Sequence, residues 1–457
     1  MATKNTFDYD LIVIGSGAGG SAAATIAARE GKRVAIVEAD EFGGDSSNWS
    51  EVPTKALLHA AHLYDEARHG ARFGLRSATL GYNYPSLRAW KDLAVSRTGA
   101  GGNRRFYETQ GISTFSGIAH FLSPNEISVN RRHLSAAHFV IATGSTWTIP
   151  DIKGLDKVGY LTPRAVLYSV KPPKSVLIVG GGDIGVEIAQ LMAIFGTKVY
   201  IAEKASRILP HQDHEVGDLM ERVLREQKGV TSLTETRVLS AVKDGLGKRV
   251  TYSRGGVEKT VLVEEIIIAA GRLPRVDMGL ENAGVKYTPK GIEVSERLQT
   301  TNKHIYAAGD VLGRDSNTHS ALLESRIVAN NIFHKAKAVP DYTGTPSLIF
   351  TYPAIAHVGL SEDDCRKRDL VINKAIAPLN MITRSNTSDF RDGFVKLISD
   401  KKGILLGGTI VAPHAAEMIH ELALAVKHGL TADDIAQTPH AFLSWSEAIR
   451  VAASKLS

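Results

Sequence analysis

Apolar positions in this chain fall into one order that occurs twice. Residues 8–40 open with the run Leu11-Ile12-Val13-Ile14 and pass through Gly15-Ser16-Gly17-Ala18-Gly19-Gly20. An alanine-rich stretch follows, and a second apolar run ends at Glu38. A short continuous apolar run before clustered glycines predicts a buried strand, and the alanine-rich stretch predicts a helix, so the segment reads strand, turn, helix, strand. The order returns at Val176-Leu177-Ile178-Val179, Gly180-Gly181-Gly182-Asp183-Ile184-Gly185, a helix through Phe195 and a strand ending at Glu203. Further on, Ala415 to His428 alternates apolar and polar positions at helical spacing, which predicts an amphipathic helix in need of a partner surface.

Both turns have the composition that a dinucleotide requires. Gly15 permits a tight turn, Gly17 lets backbone approach a pyrophosphate at the helix N-terminus, and Gly20 lets helix and strand pack closely; Gly180, Gly182 and Gly185 repeat the set. Glu38 lies 18 residues beyond Gly20, and Glu203 lies 18 beyond Gly185. An acid at that offset is placed to accept hydrogen bonds from a ribose diol. A single glycine cluster says little, but two in the same context predict an α/β fold with two dinucleotide sites.

Composition narrows the class. The 457 residues are 43% hydrophobic and 22% charged, which allows two to four domains at roughly 100 to 200 residues each. One cysteine, Cys365, excludes a disulfide framework and fits a reducing compartment. The formal charge is 54 minus 48, or +6, but the basic residues are dispersed among acids, so no nucleic-acid partner is expected. Asp8 and Asp10 precede the apolar stretch from Leu11 and glycines interrupt it, which argues against a signal peptide. No run is long enough to insert in a membrane, and Ser457 follows the Ser-Lys-Leu near the end, so cytoplasm is the expected location. His420-Glu421 begins a zinc-like pattern, but Leu424 takes the second histidine position, so no metal is expected.

Gly43-Gly44-Asp45-Ser46-Ser47-Asn48-Trp49-Ser50-Glu51-Val52-Pro53-Thr54-Lys55 resembles the active-site helix of the flavoprotein disulfide reductases, such as dihydrolipoamide dehydrogenase and mercuric reductase. The family pattern is G-G-x-C-x-N-x-x-C-x-P-[ST]-K, and Ser46 and Glu51 stand at its two cysteines. Further family motifs follow in order: Ile141-Ala142-Thr143-Gly144-Ser145, Ala269-Ala270-Gly271-Arg272 and Ile305-Tyr306-Ala307-Ala308-Gly309-Asp310. The resemblance extends over nearly the whole chain. It implies an FAD-binding domain over 1–150, an NAD(P)H-binding domain over 151–271, a central segment over 272–340 completing the first, and an α+β interface domain over 341–457 that forms a homodimer.

The same resemblance assigns residues. FAD is expected to contact Gly15, Gly17, Ala18, Gly20, Glu38, Gly44, Asp45, Lys55, Ala119, Thr143, Gly144, Asp310 and Thr318. The reductant is expected at Gly180, Gly182, Ile184, Gly185, Glu203 and Gly271. A carboxylate at Glu203 suits the 2′-hydroxyl of NADH and repels the 2′-phosphate of NADPH, with Lys204 and Arg207 near enough to temper the preference. Lys55 and Glu187 match the family's ion pair beside flavin N5, which implies that hydride input survives.

On the output side, Glu51 cannot store an electron pair as a thiol does; it is read as a proton donor, a charge beside the ring, or a polar filler. The family's C-terminal His-Glu dyad is represented by Glu447 alone, because Phe442 replaces the histidine. His440 is no substitute, since two residues along a helix turn a side chain through about 200°. Thiols and base have gone together. The expected activity is an NADH-dependent flavin oxidoreductase, not a disulfide reductase, passing electrons to a small quinone-like acceptor in a pocket lined by Trp49 and Phe442. Transhydrogenation between pyridine nucleotides, oxygen reduction, and a non-catalytic dimer that senses NADH stay open.

Overall fold

The computed structural model describes residues 7–76, 80–98, 103–314 and 317–456. They form a mixed α/β fold in two compact units: Met1–Ala56, Ser86–Thr148 and Arg272–Asp341 make one, and Leu57–Pro85, Ile149–Gly271 and Tyr342–Ser457 the other.

The first unit is built on β1 (Tyr9–Ile14), β2 (Val34–Glu38), β3 (Ser113–Ser116), β4 (Ala119–Ser123), β5 (Glu126–Val129) and β6 (Arg132–Ile141) in the order β3-β2-β1-β6-β5-β4, with Ile305–Ala307 paired to β6. β1, β2, β3, β6 and Ile305–Ala307 run parallel, whereas β4 and β5 pair antiparallel. A parallel sheet covered on both faces needs strands that are apolar throughout, and Leu11–Ile14 and Val34–Val37 are buried without a polar alternation. Helix α1 (Ala18–Arg29) packs on the helix Thr318–Phe333, where the Ala23 amide donates to Ser325 Oγ at 2.9 Å. α1 also runs close to the residue that follows Ile305–Ala307, since a Cβ on Gly19 would lie 2.8 Å from the Ala308 carbonyl oxygen.

The second unit carries the repeat. Thr231–Leu233, Lys198–Ala202, Ser175–Val179 and Glu265–Ile268 form a parallel four-stranded sheet in that order. The expected strand to Glu203 ends at Ala202, and the helix Asp183–Ile194 has Phe195 as its C-cap. An antiparallel meander of Thr236–Asp244, Gly247–Arg254 and Val257–Val263 was not legible in the sequence, since its outer face is solvated and its alternation weak. Beyond it, five antiparallel strands support the helix Ala415–His428. That helix buries Met418, Ile419, Leu422 and Val426 against the chain's own strands Ala354–Gly359 and Leu405–Ala412. The surface its apolar face requires is therefore intramolecular, and its amphipathicity alone does not call for a second copy.

The active-site segment also differs from the single helix expected. It breaks into α2 (Gly44–Asn48) and α3 (Glu51–Arg68), with Trp49 as the C-cap of α2. Ser46 and Glu51 thus sit on separate helices.

Candidate dinucleotide and redox site

The two glycine turns share their backbone geometry at the first and last glycines. Gly15 and Gly180 adopt φ of +101° and +111°, and a Cβ on either would lie 2.2 or 2.3 Å from a carbonyl oxygen, that of Ala142 or Ala269. Gly20 and Gly185 each lie so close to the first glycine that a Cβ would meet its oxygen at 2.0 or 2.1 Å. The N-caps, Gly17 and Gly182, make no side-chain cap, so the first amides of both helices stay available to an anion.

The acids at the strand ends are fixed in the same way. Glu38 Oε2 accepts from the Ser16 amide at 2.9 Å and Oε1 from the Asp40 amide at 2.9 Å. Glu203 Oε2 accepts from the Gly181 amide at 2.7 Å and Oε1 from the Ala205 amide at 2.8 Å. In the first turn Ser16 adds a hydroxyl that donates to Glu38 at 2.7 Å and accepts from the Gly43 amide at 2.8 Å. Tyr107, whose phenol burial pushes up in pKa, donates to the Ser16 carbonyl at 3.0 Å from below. Neither Ser16 nor Tyr107 was flagged by the sequence; Ser16 lies inside the motif, but Tyr107 carries no signal at 91 residues' separation.

Other expected FAD residues converge within the first unit. Ser145 Oγ donates to Asp310 Oδ2 at 2.6 Å and accepts from Arg272 Nε at 2.7 Å. The Arg272 guanidinium also pairs with Asp45 and lies over the Trp147 ring, 4.6 Å from its centroid. Thr143 Oγ1 donates to the Arg275 carbonyl at 2.8 Å, Gly144 has φ +66°, and Ala119 is buried in β4. Gly17 and Gly44 face each other so closely that a Cβ on Gly44 would meet the Gly17 Cα at 2.6 Å. Ala18 begins α1, within reach of the same cradle. An uncapped helix start, a glycine-lined approach and a carboxylate held at the strand end fit an adenine dinucleotide with its pyrophosphate at α1. The second turn fits another, since nothing lies within 4 Å of a Cβ on Gly182, while Ile184 packs beneath and Gly271 takes φ +109°.

Around the missing thiols, Ser46 and Glu51 are brought together by a third residue. Ser46 Oγ lies 2.6 Å from Thr318 Oγ1, which donates to Glu51 Oε1 at 2.7 Å. Lys55 lies one turn further along α3. Glu187, on the helix Asp183–Ile194, is 3% exposed and accepts from the Phe350 amide at 2.7 Å; it belongs to the second unit and Lys55 to the first. Trp49 likewise belongs to the first unit and Phe442 to the second.

In the C-terminal segment Phe442 is 73% exposed. Glu447 begins the helix Glu447–Ala453, with Arg450 at 3.8 Å as its ionic neighbour. His440 does not lie on a helix with residue 442, contrary to the geometry assumed above. It lies between the helix Ala432–Gln437 and the turn at Phe442, held by the Thr438 carbonyl and Glu421 at 2.8 Å each. Cys365 is buried on the short helix Glu362–Lys367 and burial pushes its thiol up, which leaves it unreactive.

Among the described residues, Asp213, Glu215 and Glu362 form a three-carboxylate group. The Lys396 ammonium pairs with all three, at 3.0 Å from Asp213 and 2.8 Å from Glu215. No described helix is long and apolar enough to cross a membrane.

A profile of the pyridine nucleotide-disulphide oxidoreductases matches residues 9–325, and one of their dimerisation domain matches residues 345–453. A mercuric reductase of Streptomyces lividans is 36% identical over 97% of this chain and 95% of its own length. A dihydrolipoyl dehydrogenase of Thermus scotoductus is 35% identical over 98% and 97%. Among solved structures, the HOCl-induced flavoprotein disulfide reductase RclA from Escherichia coli, as its Cu(II) complex, aligns with a TM-score of 0.87 at 26% identity, over 98% of this chain and 99% of that one. LpdA from Mycobacterium tuberculosis aligns with a TM-score of 0.87 at 25% identity, over the same shares.

Proposed function

This chain belongs to the pyridine nucleotide-disulphide oxidoreductase family, and from that premise we propose that it moves hydride from NADH by way of FAD to a small quinone-class acceptor, with no disulfide between. The family binds FAD and NAD(P)H and carries a dimerisation domain, which supports a homodimer. What carries the reading is sulfur chemistry: both positions of the redox pair hold oxygen, in Ser46 and Glu51, and the one cysteine is buried elsewhere.

When bound, FAD supplies a ring that accepts and returns a hydride. The chain's own residues do the remaining work. The amides at the start of α1 and the carboxylate of Glu38 would hold the dinucleotide, and Asp310, oriented by Ser145 and Arg272, is assigned to FAD. Lys55 supplies positive charge where negative charge develops on reduction. Glu187, its carboxylate held by the Phe350 amide, is assigned to the nicotinamide side. Glu51 is assigned to proton supply for the acceptor, and Trp49, two residues before it, offers flat apolar surface to an aromatic ring. Glu447 is left without its histidine partner.

Glu203 carries the choice of reductant. Two backbone amides keep its carboxylate at the strand end, where it accepts from a ribose hydroxyl and repels a 2′-phosphate, so NADH is favoured over NADPH.

Anaerobic titration of the purified holoprotein with NADH, followed by p-benzoquinone, NADP analogues or oxygen, tests the reading. Bleaching by about one equivalent without a long-wavelength thiolate band, then reoxidation by quinone, is expected. A spectrum that neither NADH nor NADPH alters would favour a non-catalytic binding role, and reoxidation by NADP analogues alone would favour transhydrogenation.

A further inference from the structure

Two hydrogen bonds that span 272 and 267 residues of sequence end on one hydroxyl, that of Thr318. A hydroxyl has a single proton to give. Thr318 gives it to Glu51 Oε1, so the bond with Ser46 must run the other way, with Ser46 donating. The result is a directed chain, Ser46 to Thr318 to Glu51, in which each bond is short enough for proton transfer, 2.6 and 2.7 Å.

Each member starts or lies within a helix. Ser46 is inside α2, Glu51 is the first residue of α3, and Thr318 is the first residue of the helix Thr318–Phe333. Their backbones are set by three separate helix starts, and all three side chains are partly buried. Thr318 thus joins the two positions at which relatives in this family carry sulfur.

We propose that Thr318 is a positioning residue that aims Glu51 and links it to Ser46 as a proton relay serving reduction of the acceptor. The inference rests on the proposed function. A quinone-class acceptor takes up two electrons and two protons. One proton and both electrons arrive as the hydride that began on NADH. The second proton comes from the Glu51 carboxyl, whose O–H bond breaks as the acceptor's second O–H forms. Glu51 then recovers a proton on Oε1 from Thr318, Thr318 from Ser46, and Ser46 from water; the hop leaves both bonds reversed, and rotation of the carboxyl and the two hydroxyls restores the starting direction. Before the transfer Thr318 can donate to Oε1 whether the carboxyl is ionised or carries its proton on Oε2.

The test compares Thr318→Val, which keeps the shape and loses the hydroxyl, with Thr318→Ser, which keeps the hydroxyl, both as FAD-loaded protein. Reoxidation of NADH-reduced protein by p-benzoquinone is followed by rapid mixing in H2O and D2O. In parallel, the carboxyl stretching band of Glu51 is located by infrared difference against Glu51→Gln. Thr318→Val, which leaves Glu51 itself in place, is expected to slow reoxidation at least ~10-fold, less than the ~100-fold or more of a whole general acid, to change the solvent isotope effect, and to shift the Glu51 band. Thr318→Ser is expected to restore all three. Wild-type rate, isotope effect and band position in Thr318→Val would overturn the relay while leaving the oxidoreductase reading in place. Should quinone fail to reoxidise even the wild-type protein, the quinone reading falls and takes the relay's role in acceptor reduction with it. The infrared comparison then still decides whether Thr318 sets Glu51.

Discussion

Replacing Lys396 by methionine should strongly destabilise the second unit. The Lys396 side chain is fully buried among Asp213, Glu215 and Glu362, and Lys374 reaches Glu362 from outside at 2.8 Å. Burial pushes the Glu362 carboxyl up, but hydrogen bonds from Lys374 and Lys396 together outweigh it and hold the group below the usual range. Burial also pushes Lys396 down, and the three acids outweigh that and raise it. The Glu362 contribution is therefore present above the ordinary carboxylate range and lost as pH falls through its depressed value. That of Lys396 is present below the ordinary lysine range and lost as pH rises through its raised value. Methionine removes the cation and leaves three carboxylates whose oxygens lie within 4.8 Å of one another.

At an effective dielectric of about 20, each such pair repels by about 3.5 kcal/mol, so three fully charged acids would not stay so. Protonating an ordinary carboxylate at pH 7 costs about 4 kcal/mol. Partial protonation and entry of water limit the loss to the ~3–5 kcal/mol typical of a stranded buried charge. At ~2–4 °C per kcal/mol for domains of this size, the melting temperature should fall by about 10 °C. Circular dichroism of the holoprotein would measure it at pH 7 and at pH 5, where protonation is cheaper by about 2.7 kcal/mol for each acid and the gap to wild type should narrow. A Lys396→Met protein within about 2 °C of wild type at pH 7, or a gap of equal size at both pH values, would refute the reasoning.

Gly180→Ala forces a side chain onto a backbone at φ +111° and into the Ala269 carbonyl, so NADH affinity in a titration should drop at least ~10-fold while bound FAD is retained. Glu203→Ala removes the carboxylate held by Gly181 and Ala205 and should raise kcat/KM for NADPH relative to NADH by roughly 10-fold or more; an unchanged ratio in steady-state assays would remove Glu203 from the selectivity argument. Burial pushes the pKa of His62, His138 and His357 down, so the folded protein keeps them neutral where the unfolded chain would take up protons. Their contribution is complete above the ordinary histidine value near 6.5 and is lost as pH falls towards their depressed values, which a melting-temperature series from pH 7 to 5 should show as a steepening decline.

What the sequence determined by itself was whatever depends on near neighbours. The runs Leu11–Ile14 and Val176–Val179, the glycines after them and the acids at Glu38 and Glu203 specify strand, turn and helix within some 30 residues each, and both turns fold alike because the same local constraints act on the same residue types. The absence of sulfur at Ser46 and Glu51 was equally plain, since it needs only a residue's identity. Tertiary structure alone decided who meets whom. Thr318 bridges Ser46 and Glu51 from more than 260 residues away, and Arg272 reaches Asp45 across 227. Lys396 draws in acids from two distant helix starts, Asp213–Glu215 and Glu362. The helix Ala415–His428 showed its apolar stripe in the sequence, but only the packed sheet shows that its own chain covers it. Periodicity fixes which way a side chain faces; a hydrogen bond at 2.6 Å also needs the path of the chain between its partners, and no spacing rule encodes that path.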